Sequence, residues 1–193
     1  MKTVNIMIVG VGGQGTLLAS RLLGCLLTDE GYDVKVSEVH GMSQRGGSVV
    51  TYVRFGEKVY SPIITEGEAD YIVSFEKLEA ARWSSCLAKD GQIIVNTQEI
   101  DPMPVIIGKA TYPEAILEEL RAGGAKVEEI DALSLAVKAG SVKAVNIVLM
   151  ARLAKYMNIP YEKWIAALEK TVAPKFLELN KKAFELGYAA EKD

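Results

Sequence analysis

Gly10-Val11-Gly12-Gly13-Gln14-Gly15 separates an apolar strand pattern from an apolar helix pattern. Residues 4–9 form a short, β-branched apolar run that is typical of a buried parallel strand, whereas residues 16–27 carry leucines at helical spacing. Glycines at such a junction let the backbone turn tightly and let a phosphate approach main-chain N–H groups. The segment therefore predicts the first strand–helix junction of an α/β sheet and a candidate phosphate-binding turn.

The pattern after this junction departs from a plain dinucleotide-binding fold. A second strand is predicted at residues 34–39, which completes a strand–helix–strand unit. Residues 48–55 then alternate between apolar and polar side chains, residues 56–58 form a turn, and residues 59–61 lead back. We interpret this stretch as a β-hairpin inserted after the second strand.

The α/β alternation resumes beyond the hairpin. Further strands are predicted at residues 71–75, 92–96 and 126–130, with a helix over residues 76–88 and a turn at Asp90-Gly91. The fold class that follows is α/β, with a Rossmann-like, mostly parallel sheet and helices on both faces. We predict one domain of 193 residues, with residues 1–131 as the sheet core and residues 132–193 as C-terminal helices.

One of the C-terminal helices stands out by its composition. Residues 144–157 are apolar nearly all round, which predicts burial under the sheet or against another subunit. Asn146 lies inside this helix and is interpreted as a buried amide that satisfies a loop backbone. Gly187 is predicted to end the last helix. The apolar helix leaves a homodimer open as an alternative to a monomer.

Bulk composition narrows the class of protein. Hydrophobic residues make up 49%, the net charge is −3, and lysine and arginine are not clustered, so a nucleic-acid partner is not expected. The chain contains no apolar run of 18 residues, so no membrane span is expected. The N-terminus starts a strand at once without the shape of a signal peptide, which predicts a cytoplasmic protein. Cys25 and Cys86 lie in apolar helical patterns and are interpreted as core residues.

The glycine spacing by itself favours nucleotide binding. Gly10, Gly12 and Gly15 match the dinucleotide fingerprint, and Glu38 at the end of the second strand could accept from a ribose hydroxyl. Tight strand–helix packing without a ligand is the alternative. Two features disfavour a nicotinamide cofactor: the Gln14 side chain could occupy the space of a pyrophosphate, and the hairpin replaces the helix that normally completes the cleft.

A second glycine-bearing segment, Ser43-Gln44-Arg45-Gly46-Gly47, follows the second strand. The Arg45 guanidinium offers paired hydrogen bonds to a phosphate or carboxylate, and the glycines leave room for that partner. The segment is expected at the C-terminal edge of the sheet beside the first turn; a plain turn with a solvated arginine is the alternative. His40 is a weak catalytic candidate, because no Asp or Ser lies near it in sequence, and a structural or interface role is favoured.

Taken together, residues 9–15 and 38–49 resemble the gamma-type subunits or domains of the 2-oxoacid:ferredoxin oxidoreductases, in particular the beta subunits of the indolepyruvate enzymes. The resemblance spans essentially the whole chain. The first segment is shared by the whole superfamily. The His40–Gly47 segment is more specific, because related subunits for pyruvate or 2-oxoglutarate usually carry another sequence before Arg-Gly-Gly.

The resemblance implies a reaction that this chain completes without running it alone. An aryl pyruvate is decarboxylated on thiamine diphosphate, electrons pass through iron–sulfur clusters to ferredoxin, and coenzyme A takes the acyl group. Clusters need thiolates in sets of four, and this chain has two cysteines. Thiamine diphosphate, magnesium and the [4Fe-4S] clusters are therefore expected on a partner alpha subunit, with no metal site here.

The resemblance and the two glycine segments together predict where this chain contributes. We expect the two segments to contact coenzyme A or shape its passage; the alternative is that they form the subunit contact. A standalone NAD(P)- or coenzyme A-binding protein is the competing hypothesis. The candidate binding residues are Gly10, Gly12, Gly13, Gln14, Gly15, Ser43, Gln44, Arg45, Gly46 and Gly47.

Overall fold

A computed structural model of the protein describes residues 2–38, 43 and 46–191. The strands are β1 (Val4–Val11), β2 (Asp33–Glu38), β3 (Ser48–Gly56), β4 (Ala69–Ser74), β5 (Leu87–Asn96) and β6 (Lys126–Ile130). The helices are α1 (Thr16–Asp29), α2 (Lys77–Arg82), α3 (Met103–Ile106), α4 (Ile116–Ala122), α5 (Ala132–Ala139), α6 (Val145–Ala154), α7 (Tyr161–Thr171) and α8 (Leu177–Ala189). Within these described ranges, no helix has the length and apolarity that crossing a membrane requires.

The six strands form one mixed sheet in the order β2-β3-β1-β4-β5-β6. The β1–β4, β4–β5 and β5–β6 pairs are parallel, whereas β3 runs antiparallel to both of its neighbours. The two faces of β1 alternate, with Ile6 and Ile8 in one hydrophobic cluster and Met7 in the other. The predicted α/β class, with a mostly parallel sheet and helices on both faces, is confirmed.

The hairpin was predicted in the correct place but with the wrong partner. Residues 59–61 form no strand; β3 instead pairs with β2, with Val34 opposite Phe55, and with β1, with Ile6 opposite Val53. Val53 and Phe55 are buried, as is Val50 on the other face. An alternating pattern does not show whether a strand lies at an edge or inside a sheet, and β3 is an interior strand.

The helix predicted over residues 76–88 is shorter than expected. It ends at Arg82, a 3-10 turn covers Ser84–Cys86, and β5 begins at Leu87. Asp90-Gly91, predicted as a turn, lies within β5 where the register with β4 shifts. A Cβ on Gly91 would lie 2.7 Å from the Ala69 carbonyl oxygen. The absence of a side chain at Gly91 therefore lets β4 and β5 approach each other closely.

Helix α6 is buried along its full length inside the chain, between the sheet and α8. All of its residues are buried, so its apolar composition is explained without a second subunit. Gly187, predicted as a helix end, lies within α8, where a Cβ would come 2.6 Å from the Val148 carbonyl oxygen. The missing side chain therefore lets α8 lie directly against α6.

A buried ion pair fixes the C-terminal end of α8. The Arg152 guanidinium pairs with the Glu128 carboxylate, and both side chains are less than 5% exposed. Arg152 Nη1 also donates to the Ala190 carbonyl oxygen at 2.5 Å. The ion pair joins β6, α6 and the C-terminal end of α8, and an unpaired charge left at this depth would be strongly destabilising.

Candidate functional site

The two glycine segments lie against each other at the C-terminal edge of the sheet. Gly12 N donates to the Gly47 carbonyl oxygen at 2.8 Å, and Gly47 N donates to the Ser43 carbonyl oxygen at 2.9 Å. Gly13 and Gly15 have φ angles of +101° and +90°, a region that favours glycine. The turn and the described part of the second segment are therefore one surface, as the sequence predicted.

Gln14 is a structural link in this surface. Its Oε1 accepts from Val11 N at 2.7 Å, and its Nε2 donates to the Phe75 carbonyl oxygen at 3.1 Å and to Gln98 Oε1 at 3.4 Å. The side chain thus spans from the end of β1 to the end of β4. A crevice lies between the carboxyl ends of β1 and β4, and Gln14 spans it. At this point the chain switches from one side of β1 to the other, which is where open α/β sheets bind dinucleotides.

Two glycines serve packing around these side chains. A Cβ on Gly10 would lie 2.8 Å from Gln14 Oε1 and 2.9 Å from Phe75 Cβ. A Cβ on Gly15 would lie 2.7 Å from Asn146 Nδ2, which donates to the Gly15 carbonyl oxygen at 3.1 Å. The interpretation of Asn146 as a buried amide that satisfies a loop backbone is confirmed.

Glu38 has a partner within the protein. Its Oε1 accepts a hydrogen bond from Ser20 Oγ on α1. The Glu38 carboxylate therefore holds β2 against α1, and a ribose hydroxyl would have to compete with Ser20 for it.

Two buried carboxylates beyond β4 were missed by the sequence interpretation. Glu76 accepts from Tyr112 Oη, from Glu79 N at 2.9 Å and from Ile100 N at 3.2 Å. Glu79 accepts from Ser48 Oγ at the start of β3. Burial raises the pKa of Glu76. Burial is also the main cause that raises the pKa of Tyr112, and the hydrogen bond to the Glu76 carboxylate adds to it. The available signal was the position of Glu76 directly after a strand end.

Clefts lie on both sides of the glycine turn. One, of about 520 Å³, lies between the turn, Gln98 and the 3-10 turn that precedes α6. The other, of about 260 Å³, lies on the β3 side and includes Val49 and Thr51. The turn therefore presents two concave surfaces, and Gly13 borders both of them.

The remaining predicted residues have varied placements. Gly46 is exposed with φ +98°, and Ser43 is half-buried. His40, Gln44 and Arg45 lie outside the described residues. Cys86 is buried and Cys25 is half-buried; neither forms a disulfide, and burial raises the pKa of both thiols. Among the described residues, no group of three or more His, Cys, Asp or Glu side chains could hold a metal.

Sequence comparison places the chain among known proteins. The family model for pyruvate ferredoxin/flavodoxin oxidoreductase matches residues 5–190. The chain is 44% identical to indolepyruvate oxidoreductase subunit IorB of Thermococcus kodakarensis and 45% identical to that of Pyrococcus horikoshii, each over 100% of this chain and 98% of the relative. It is 26% identical to the pyruvate/ketoisovalerate oxidoreductases common subunit gamma of Pyrococcus abyssi, over 93% and 92% of the two chains.

Solved structures share the fold. Pyruvate oxidoreductase subunit PORC from Thermotoga maritima superposes with a TM-score of 0.72 at 21% identity, over 97% of this chain and 96% of that one. The 2-oxoglutarate:ferredoxin oxidoreductase from Magnetococcus marinus superposes with a TM-score of 0.75 at 18% identity, over 100% of this chain and 32% of that longer one. The chain belongs to the pyruvate ferredoxin/flavodoxin oxidoreductase family, as a subunit of an oxidoreductase complex.

Proposed function

We propose that this chain is the beta subunit of an oxidoreductase acting on indolepyruvate or a related aryl pyruvate. The observation that carries this proposal is the identity of 44–45% to indolepyruvate oxidoreductase subunits over the whole chain, against 26% to a gamma subunit of the pyruvate and ketoisovalerate enzymes. The reaction is a coenzyme A-dependent oxidative decarboxylation that yields an acyl-CoA, carbon dioxide and reduced ferredoxin.

The proposal places the redox cofactors on a partner alpha subunit. An iron–sulfur cluster requires four thiolates, whereas this chain has Cys25 and Cys86 only. Thiamine diphosphate, magnesium and the clusters belong to the partner, and ferredoxin meets the complex there. In this proposal the chain is inactive alone and completes the enzyme by assembling with the alpha subunit. The complex is proposed to be cytoplasmic.

The glycine surface is proposed to contact coenzyme A. Supporting this, Gly12 and Gly47 are joined at the edge of the sheet where α/β proteins bind phosphate-bearing ligands. The Magnetococcus marinus enzyme that shares the fold was solved with coenzyme A and succinyl-CoA bound. Gln14 argues against the alternative, a standalone nicotinamide-binding protein, because its side chain bridges the crevice that the pyrophosphate of a dinucleotide would need.

The test uses the chain co-expressed with a candidate alpha subunit. Arg45→Ala is expected to raise the apparent KM for coenzyme A and to leave the KM for indolepyruvate unchanged, with the exposed Arg21→Ala on α1 as the matched control. Loss of co-purification in Arg45→Ala would assign the second segment to the subunit contact instead. Failure of the wild-type chain to form a stable complex with ferredoxin-linked turnover would refute the proposed function.

A further inference from the structure

Helix α3 presents an apolar patch to solvent in the loop that follows β5. Met103, Ile106 and Ile107 are 65%, 64% and 54% exposed. Their spacing of three and four residues places them on one side of the helical turn. The structure describes all of α3, and none of its four residues is buried. These three side chains, called the α3 patch below, form the kind of exposed apolar cluster that marks an interaction site.

One buried carboxylate closes the base of the loop that carries the α3 patch. Glu76 Oε1 accepts from Ile100 N at 3.2 Å before α3 and from Tyr112 Oη after it. Glu76 is 1% exposed, and Tyr112 Oη also accepts from Leu78 N in α2 at 3.2 Å. Both ends of the loop are therefore held at the same point, beside the carboxyl end of β4.

The tip of the loop is held by its own backbone. Ile107 N donates to the Met103 carbonyl oxygen at 3.0 Å, and Lys109 N donates to the Pro104 carbonyl oxygen at 2.8 Å. Because the loop is bonded at its base and at its tip, the α3 patch is ordered before it meets any partner. An ordered patch loses less conformational entropy on binding than a free loop would.

We propose that the α3 patch docks into an apolar socket on the alpha subunit of the oxidoreductase complex. The inference rests on the proposed function and names a surface for its assembly. The relatives at 44–45% identity are named as oxidoreductase subunits, so a partner chain is expected to meet this one at a surface. The buried centre of such a surface is depleted of charged residues and enriched in apolar ones, methionine among them.

The position of the α3 patch favours the alpha subunit over a second copy of this chain. The loop leaves β5 through Gln98, whose Oε1 accepts from Gln14 Nε2 of the glycine turn at 3.4 Å. The patch therefore belongs to the edge of the sheet where coenzyme A is proposed to bind. The thiamine-bearing partner must reach that edge, because coenzyme A takes the acyl group from it.

The size of the α3 patch supports the same choice. Three aliphatic side chains expose far less than the roughly 800 Å² per partner that a stable interface buries, so the contact has to extend along this edge of the sheet. A second copy placed there would cover the glycine surface that the proposed reaction needs. The alpha subunit instead brings its thiamine cofactor to that surface.

The test is a competition between two forms of the chain for one alpha subunit. Wild-type chain and the double variant Met103→Ser with Ile106→Ser are co-expressed with an affinity-tagged alpha subunit. Intact-mass spectrometry gives their ratio in the captured complex and in the lysate. The variant is expected to be depleted from the complex roughly 10-fold, as for buried interface anchors. The melting temperature of the purified variant should equal that of wild type, because both side chains are exposed in the free chain.

Ile63→Ser is the matched control. Ile63 is 47% exposed, and its carbonyl oxygen accepts from Arg54, which lies opposite Asn5 near the start of β1. Ile63 is thus an exposed isoleucine at the other edge of the sheet, and Ile63→Ser should enter the complex in proportion to its share of the lysate.

Two results would overturn the docking assignment. One is proportional entry of the double variant into the complex; if the wild-type complex then shows ferredoxin-linked turnover, the proposed function stands without this surface. The other is a wild-type chain that sediments alone as a dimer and a double variant that sediments as a monomer, because the α3 patch would then join two copies of this chain.

Discussion

Asn146 Nδ2 donates to the Gly15 carbonyl oxygen at 3.1 Å, across 131 residues of sequence. Asn146 is 3% exposed, and its Oδ1 also accepts from Ile147 N at 2.8 Å. Because both polar atoms of the side chain are engaged, the amide cannot rotate without losing a bond. The start of buried helix α6 therefore sets the position of the glycine turn.

Removing this amide is expected to destabilise the chain. Asn146→Ala removes the side-chain hydrogen bond to the Gly15 carbonyl oxygen, which still accepts from Leu18 N and Ala19 N, and it also removes the acceptor for Ile147 N. We expect a loss of about 1–2 kcal/mol in the free energy of unfolding. Urea denaturation of the purified chain measures this loss. Asn180→Ala is a suitable comparison, because Asn180 donates to a carbonyl oxygen four residues earlier, at the start of its own helix. An Asn146→Ala cost no greater than that of Asn180→Ala would contradict the link described above.

Gly15→Ala is expected to cost more stability than Gly13→Ala. Both positions have positive φ, so each substitution carries a penalty of about 1–2 kcal/mol. Only at Gly15 does the added Cβ meet a neighbour, Asn146 Nδ2 at 2.7 Å. Melting temperatures of the two variants test the order. Combining Gly15→Ala with Asn146→Ala should cost less than the sum of the two single changes, and strict additivity would show that the contact is not responsible.

Two helical glycines are expected to respond to alanine in opposite directions. Gly187→Ala places a Cβ 2.6 Å from the Val148 carbonyl oxygen, so α8 must move away from α6, at a cost of about 1–3 kcal/mol. Gly24→Ala in α1 meets only Val36 Cγ2 at 4.0 Å and should stabilise by roughly 0.5–1 kcal/mol. Chemical denaturation of both variants measures the signs. Stabilisation by Gly187→Ala would show that the two helices are not in close contact.

The buried carboxylate of Glu76 predicts a pH dependence of stability. Burial raises its pKa, so the folded chain retains the proton to higher pH than the unfolded chain does. The stability contributed by the protonated group is complete below the ordinary pKa of glutamate. It is lost as pH rises through the raised pKa of the folded state. Glu76→Gln cannot ionise, so wild-type stability should fall relative to this variant as the pH rises above about 4, the ordinary pKa of glutamate.

Urea denaturation of both proteins across this pH range tests the prediction. Glu118→Gln on the exposed side of α4 is the control, since it removes a carboxylate that is not buried. A constant difference between wild type and Glu76→Gln over the whole range would refute the effect of burial. A difference that grows in favour of wild type with rising pH would reverse the sign and show that the hydrogen bonds to Glu76 outweigh its burial.

Local patterns were sufficient for most of the fold. The apolar run that became β1, the leucines of α1 and the apolar circumference of α6 each report burial directly. The errors occurred where a residue serves a distant partner. Gly91 and Gly187 were interpreted as a turn and a helix end, but both are glycines because another backbone lies against them. Sequence spacing contains no information about such an approach.

The candidate site was also predicted only in part. The meeting of Gly12 with Gly47 was predictable, because the ends of strands in an α/β sheet collect at one edge. Gln98 was not predicted as part of this surface, since an isolated amide side chain resembles an ordinary surface residue until the fold places it beside the glycine turn. The ligand-binding role of the glycine segments stays a prediction.

Strand β3 has a consequence for the order in which the sheet can assemble. In a doubly wound fold the first two strands are neighbours, and a growing chain can pair them once the connecting helix exists. Here β3 lies between β1 and β2, so neither has a described partner strand until residues 48–56 emerge. A nascent chain that ends at residue 38 has two strands and no sheet. Folding on the ribosome therefore waits for β3, which closes both ladders at once.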